Sequence, residues 1–156
     1  MGGPPMVLFG ATGLLGRAWR ETLARGCDPF AAPSRTEADV TSRADLETWI
    51  RPGTGVVVNC TGFNHVDAAE GDSKSAMELN VTSVGRLARR CLEVGATLVQ
   101  YSSDYVFPGT ARVAYYADEM PNPINAYGRS KAAGEAALRD SGCDFLLIRT
   151  SWLYAP

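Results

Sequence analysis

Met6-Val7-Leu8-Phe9-Gly10-Ala11-Thr12-Gly13-Leu14-Leu15-Gly16 is an apolar tetrapeptide followed by three glycines at three-residue spacing. The apolar residues predict a buried strand, and the glycines predict a tight turn into a helix over residues 14–25. Gly10 would permit the turn, Gly13 would admit a pyrophosphate, and Gly16 would bring helix and strand close. The segment therefore predicts dinucleotide contacts at Gly10, Thr12, Gly13, Leu14, Leu15 and Gly16, with a ligand-free strand-to-helix turn as the alternative.

Strand-like and helix-like segments alternate along the rest of the chain. Strands are predicted at residues 30–32, 39–40, 56–59, 97–102 and 145–150. Helices are predicted from Thr41 or Ser42 to Arg51, and over residues 73–93 and 125–140. This alternation predicts an α/β fold: a Rossmann-like, doubly wound parallel sheet of five or six strands with helices on both faces.

Composition restricts the class of protein. The 156 residues are 46% hydrophobic and 21% charged, which predicts one globular domain over residues 1–156. A net charge of −2 favours neither nucleic acid nor membrane as a partner. Neither a signal peptide nor a membrane-length apolar run is recognisable, so we expect a cytoplasmic protein. One histidine and four scattered cysteines predict reduced packing thiols and no metal site.

Ser103, Tyr127 and Lys131 form the candidate catalytic set. A tyrosine and a lysine four positions apart lie one turn apart on a helix, so the ammonium is expected to lower the pKa of the phenol. The Ser103 hydroxyl, at a strand end, would be a second proton donor. Together they indicate a nicotinamide-dependent carbonyl reductase. Taken singly, each has a structural alternative: a packed aromatic, a solvated lysine and a strand-end cap.

Cofactor choice should be decided near the end of the second strand, where an acid would bind ribose hydroxyls and a base would bind a 2′-phosphate. Residues 34–36 are Ser-Arg-Thr. Arg35 therefore favours NADP(H) over NAD(H), although a solvated loop arginine is the alternative. Asp39 and Val40 would then lie near the adenine.

Five segments occur in an order that resembles a known family: residues 10–16, 59–70, 102–107, 127–135 and 149–154. They resemble the extended short-chain dehydrogenase/reductase family, of the dTDP-4-dehydrorhamnose reductase type. The resemblance implies hydride transfer from NADPH to the ketone of a nucleotide sugar, with Tyr127 as proton donor. It also implies cofactor contacts from Cys60, Thr61, Gly62, Tyr127 and Lys131.

Family members continue for about as many residues again, which implies that the C-terminal substrate domain is absent here. We then expect exposed apolar surface around residues 145–148. Three interpretations remain open. The chain is the cofactor-binding part of a sugar-nucleotide 4-ketoreductase completed by a second half, a small self-sufficient ketone reductase that uses residues 108–123 as a lid, or a non-catalytic regulatory or interaction module. The resemblance also implies pairing, as a homodimer or with a partner chain.

Overall fold

A computed structural model describes residues 3–26 and 29–154 and gives them a parallel sheet. Its strands, in chain order and in spatial order, are β1 (Met6–Phe9), β2 (Val56–Asn59), β3 (Thr97–Ser103) and β4 (Phe145–Thr150). On the free side of β1, Ala31 makes a single parallel bridge to Val7. The predicted α/β class with a parallel sheet is confirmed. The described residues form four strands rather than five or six, because residues 30–32 contribute only that bridge.

The helices are α1 (Leu14–Gly26), α2 (Arg43–Trp49), α3 (Val66–Gly71), α4 (Ser73–Met77), α5 (Ser83–Val94) and α6 (Ala126–Arg139). Ser42 caps α2, and its hydroxyl accepts from the main-chain N–H of Asp45. The helix α3 was not predicted, because six residues at a loop end are too few to show a periodic apolar pattern. The structure therefore adds one short helix to the predicted set.

The strand predicted at residues 39–40 is wrong. The Asp39 carboxylate accepts hydrogen bonds from the main-chain N–H and the hydroxyl of Thr41, both at 2.8 Å. The Asp39 N–H donates to the Asp45 carboxylate, also at 2.8 Å. These local bonds compete with strand pairing and hold the segment in a turn that leads into α2.

The long helix predicted over residues 73–93 is present as α4, a π-helical segment (Glu78–Thr82) and α5 in one continuous run. The π segment places Asn80 between two other elements. The Asn80 amide donates to the Phe63 carbonyl at 3.1 Å and to the Ser130 hydroxyl at 2.9 Å, and its oxygen accepts from the Phe63 N–H at 2.9 Å. Asn80 thus joins the loop after β2 to α6 through buried hydrogen bonds.

Alternate strand residues face two separate apolar clusters, one on each face of the sheet. Val7, Val57 and Leu98 pack with residues of α5 and α6, including Leu87 and Leu138. The neighbouring strand residues Leu8, Val58 and Val99 pack on the other face, against Trp19 of α1. Helices therefore cover both faces of the sheet, as predicted.

The helices leave part of β4 uncovered, and Leu146 is 54% exposed there. Trp152, just past the strand, is 73% exposed. The exposed apolar surface expected around residues 145–148 is therefore found at Leu146. In the described ranges, no helix combines the length and apolar character needed to cross a bilayer.

Three cysteines lie in the described part of the chain, and all have free thiols: Cys60, Cys91 and Cys143. Burial raises the pKa of Cys60 and of Cys91 to about 12. Both thiols are therefore protonated at neutral pH, as packing residues should be. Cys27 lies outside the described residues.

Two helical glycines give a matched test of how closely α6 approaches the π segment. A Cβ at Gly134 would lie 2.1 Å from the Asn80 carbonyl oxygen, whereas a Cβ at Gly85 would meet nothing nearer than 4.0 Å. In urea unfolding, Gly134→Ala should lower the free energy of unfolding by about 2–4 kcal/mol, because α6 must move away from the main chain of Asn80. Gly85→Ala should gain up to about 1 kcal/mol from helix propensity. Equal effects at the two sites would contradict this packing.

Candidate active site

A cleft of about 360 Å³ lies at the carboxyl ends of the strands. Its lining combines the glycine turn, the segments after β2, β3 and β4, and the first turns of α6. The lining residues are Gly13, Leu14, Leu15, Cys60, Thr61, Asn64, Val66, Tyr101, Ser102, Ser103, Asp104, Tyr105, Tyr127, Lys131, Thr150, Ser151, Trp152 and Leu153. In open parallel sheets, ligands bind at the carboxyl ends of the strands, near the point where the strand order reverses.

Main-chain packing shapes the glycine turn. Gly10 has a φ of +77°, which favours glycine, and a Cβ there would lie 2.8 Å from the Cys60 carbonyl carbon. A Cβ at Gly16 would lie 2.1 Å from the Gly10 oxygen. The predicted structural roles of these two glycines are therefore confirmed. Gly13 differs, because its nearest neighbouring atom would be 3.5 Å away and its position at the start of α1 is exposed.

The loop after β2 is held against this turn. The Cys60 N–H donates to the Phe9 carbonyl at 3.0 Å. The side-chain oxygen of Asn59 accepts from the Thr61 N–H at 3.0 Å and from the Thr61 hydroxyl at 2.6 Å. Cys60 and Thr61 consequently line the cleft opposite the N-terminal end of α1.

The three predicted catalytic side chains meet in the cleft from two elements. Ser103 ends β3, and its oxygen accepts from the Tyr105 N–H at 3.2 Å. Tyr127 and Lys131 lie on α6, whose start is fixed by Asn125, which accepts from the Gly128 N–H at 2.7 Å. The predicted grouping of these residues is thus realised in space, while their catalytic roles stay predictions.

Burial governs the ionisation of Tyr127. It raises the pKa of the phenol, whereas the nearby Ser103 hydroxyl lowers it and Asp104 and Tyr105 raise it further. The expected lowering by Lys131 is not found. The Lys131 ammonium instead donates to the main-chain oxygen of Tyr101 at 2.8 Å. Tyr127 is therefore a protonated phenol at neutral pH, the form from which a proton can be given up.

Lys131 is a buried cation, only 7% exposed. Burial lowers the pKa of its ammonium to about 8, and the carboxylate of Glu135 opposes that shift. The side chain is charged at pH 7 but loses its proton within the mildly alkaline range. Its burial therefore has a cost in stability that a functional requirement would explain.

Seven predicted cofactor residues do not line the cleft: Gly10, Thr12, Gly16, Arg35, Asp39, Val40 and Gly62. Val40 is buried in the core beside Leu46, and the Asp39 carboxylate is bonded to Thr41. Arg35 is exposed in the turn that follows the bridge residue Ala31. A Cβ at Gly62 would lie 3.9 Å from the Lys131 ammonium, so this position borders the cleft. A cofactor role for these residues stays a prediction.

Other lining residues were missed by sequence reasoning. Ser102 is the most informative, because its hydroxyl oxygen is buried and has no hydrogen-bond partner among the described residues. Trp152 and Leu153 follow the end of β4, a position that the carboxyl-end rule for parallel sheets could have found. No lining residue comes from residues 108–123, so the loop that one interpretation uses as a lid does not line this cleft.

Comparison with known proteins identifies the family. The family described as RmlD substrate binding domain matches residues 5–156. The chain belongs to this family. Two curated relatives confirm the resemblance drawn from the five sequence segments. The dTDP-4-dehydrorhamnose reductase from Salmonella typhimurium is 36% identical over 163 residues, and that from Streptomyces griseus is 39% identical over 158 residues.

These matches cover 96–97% of this chain but only 52% and 50% of the two relatives, so the chain spans about half of their length. A solved structure shows the same relation. A dTDP-4-dehydrorhamnose reductase from Bacillus anthracis in complex with NADP superposes with a TM-score of 0.89 at 29% identity, over 97% of this chain and 55% of that one. The described fold is therefore that of one half of such a reductase.

Replacing Lys131 by methionine should stabilise the protein at pH 7. The cost of burying the ammonium disappears, and the Tyr101 carbonyl keeps a second donor, Gln100, at 3.0 Å. The folded-state pKa of Lys131 lies below that of an unfolded lysine. Burial of the charged ammonium therefore lowers the free energy of unfolding by its full amount below about pH 8, and by nothing above pH ~10.4, where the amine is neutral in both states. We expect Lys131→Met to raise the free energy of unfolding by about 1–3 kcal/mol at pH 7 and to leave it unchanged at pH ~10.5.

Lys74, the chain's other lysine, is exposed and supplies the control. Denaturant unfolding of Lys74→Met should match the parent within about 0.5 kcal/mol at both pH values. A destabilised Lys131→Met protein at pH 7 would contradict the assignment of Lys131 as a costly buried cation.

Proposed function

We propose that this chain is the NADP(H)-binding part of a sugar-nucleotide 4-ketoreductase of the dTDP-4-dehydrorhamnose reductase type. One observation carries the proposal: the glycine turn and the side chains of Ser103, Tyr127 and Lys131 line a single cleft. The relative solved with NADP supports a nicotinamide cofactor for this fold. A nucleotide-sugar substrate would be bound only when a second half completes the site.

The residues of the cleft fit a dinucleotide. At Gly13 the exposed main chain leaves room for a pyrophosphate beside the first N–H groups of α1, which have no partner within the helix. The buried Ser102 oxygen, unbonded within residues 3–26 and 29–154, lies among the lining residues, where a polar ligand group would satisfy it. Lys131 would contact the nicotinamide ribose.

The bound cofactor would supply a hydride to the ketone carbon of the substrate. Tyr127 would donate a hydrogen bond to the carbonyl oxygen and transfer its proton as the alkoxide forms. Ser103 would donate a second hydrogen bond to that oxygen. The charge of Lys131 would stabilise the phenolate that remains. The raised pKa of Tyr127 suits this direction, because the phenol holds its proton until an alkoxide accepts it.

Arg35 supports a preference for NADP(H). Its exposed guanidinium follows the segment beside β1, where the 2′-phosphate of the adenine ribose would lie. The charge of Arg35 also contributes to the lowered pKa of the Asp39 carboxylate. Because the Asp39 carboxylate is bonded to Thr41, it is less available to ribose hydroxyls.

Calorimetric titration with NADPH and NADH tests the proposal. We expect saturable NADPH binding, and Arg35→Met should weaken it about tenfold because a charged contact to phosphate is lost. NADH affinity should stay unchanged. Arg43→Met is the matched control, since the Arg43 side chain is 75% exposed on α2 and lines no part of the cleft.

The other interpretations predict different results. A folded chain that binds neither nucleotide would contradict the proposal and favour a non-catalytic interaction module. NADPH oxidation by the chain alone with simple ketones, abolished in Tyr127→Phe, would favour a self-sufficient reductase. We expect cofactor binding with little turnover.

A further inference from the structure

Arg149 joins two elements of the cleft. It lies in β4 directly beside Ser102 of β3. Its Nε and Nη2 atoms donate to the two carboxylate oxygens of Glu135 on α6, at 2.9 and 2.7 Å. The side chains are 12% and 3% exposed, so this is a buried, bidentate ion pair between the sheet and the helix that carries Tyr127 and Lys131.

The same guanidinium holds the loop over residues 107–125, here called the β3–α6 loop. Its Nη1 atom donates to the carbonyls of Ala117 at 3.1 Å and Glu119 at 3.0 Å. Its Cζ atom lies 4.9 Å from the centre of the Phe107 ring. That ring stacks on the ring of Tyr115, with the two ring centres 4.4 Å apart. All three nitrogens of Arg149 are thus engaged, and the middle of the loop is fixed to β4.

The two ends of this loop lead directly to the candidate catalytic groups. On one side a single 3-10 turn (Asp104–Val106) separates the loop from Ser103, and on the other side α6 begins one residue before Tyr127. We propose that Arg149, through Glu135 and the loop carbonyls, is a positioning residue that sets the placement of Ser103 relative to Tyr127 and Lys131. This inference rests on the proposed function, because the residues that Arg149 positions are those of the proposed reductase site.

Glu135 has a second consequence in this arrangement. Its carboxylate lies one helical turn after Lys131 and raises the pKa of that ammonium against the effect of burial. The charged groups that face Glu135 are Arg149 from β4 and, on α6 itself, Arg139 at 3.8 Å and Lys131. Removing the charge at position 135 should therefore lower the pKa of Lys131 below about 8.

Arg149→Lys is the principal test variant, because lysine keeps the positive charge but cannot reach the carboxylate and both carbonyls with one planar fork. Cleavage by trypsin at Arg112, the only basic residue of the loop, should accelerate about tenfold. Amide exchange should rise over residues 109–120 and over the first turn of α6. Arg149→Met with Glu135→Gln removes the anchor without leaving a buried lone carboxylate, and should give the same result.

Arg139→Met is the matched control. Arg139 also faces Glu135 but is half exposed and contacts it only at 3.8 Å, so loop cleavage should stay at the parent rate. Parent-like cleavage and exchange in Arg149→Lys would overturn the proposal. Since these two readouts need no cofactor, they decide the role of Arg149 even if the chain binds no dinucleotide.

A pH series separates positioning from simple support of the fold. NADPH affinity of the parent protein should fall as Lys131 loses its proton near pH 8, and the midpoint should lie at lower pH in Glu135→Gln. Arg139→Met should keep the parent midpoint. An unchanged midpoint in Glu135→Gln, with NADPH still bound, would overturn the link between Glu135 and Lys131.

Discussion

The close approach of α6 to two other main chains is the constraint on which the cleft depends. A Cβ at Gly128 would lie 2.2 Å from the Tyr105 carbonyl oxygen, and a Cβ at Gly134 would lie 2.1 Å from that of Asn80. Only glycine allows both contacts. The first contact brings the start of α6 against the 3-10 turn after β3, and the second holds α6 against the π segment. Tyr127 and Lys131 therefore reach the edge where Ser103 and the glycine turn already lie.

The electrostatics of the cleft follow from this packing. Helix and sheet are so close that Lys131 and Tyr127 are almost removed from water, which raises the pKa of the phenol and lowers that of the ammonium. Each shift favours the neutral form. Glu135, held by Arg149, opposes the effect of burial on Lys131 and raises the pKa of its ammonium. A site of this kind trades stability for a proton donor and a cation held at fixed positions.

Much of the fold could be read from the sequence, because apolar periodicity and glycine spacing report directly on buried strands and tight turns. The strands β2 and β4 and the N-cap of α2 agree with the predictions. The π segment was not predictable, since one extra residue per turn barely changes the apolar spacing around Asn80. The strand expected at residues 39–40 failed because two aspartate side chains bind nearby main-chain N–H groups.

Some features of the candidate site could likewise be predicted from the sequence, and others could not. The motif spacing predicted that Gly13, Ser103, Tyr127 and Lys131 lie in one site, and all four line the cleft. This was possible because Gly13 and Ser103 lie at the carboxyl ends of strands, while Tyr127 and Lys131 share one helix face. Burial and hydrogen-bond partners depend on the tertiary structure. The sequence therefore indicated neither the Ser102 hydroxyl, which has no partner in the described part of the chain, nor the bond from Lys131 to Tyr101. Residues 108–123, which one interpretation uses as a lid, are held by Arg149 instead, through a hydrogen bond to Ala117 from a position 32 residues further along the chain.

The most direct test of the account is a two-dimensional NMR titration of the chain, at 16.7 kDa, with NADPH. Binding in the described cleft should shift the amide signals of residues 10–16, 60–62 and 102–103 together, with saturation at one equivalent. Shifts confined to the groove between α2 and α5, around Arg43 and Arg86, would contradict the account. So would a folded protein whose spectrum does not change.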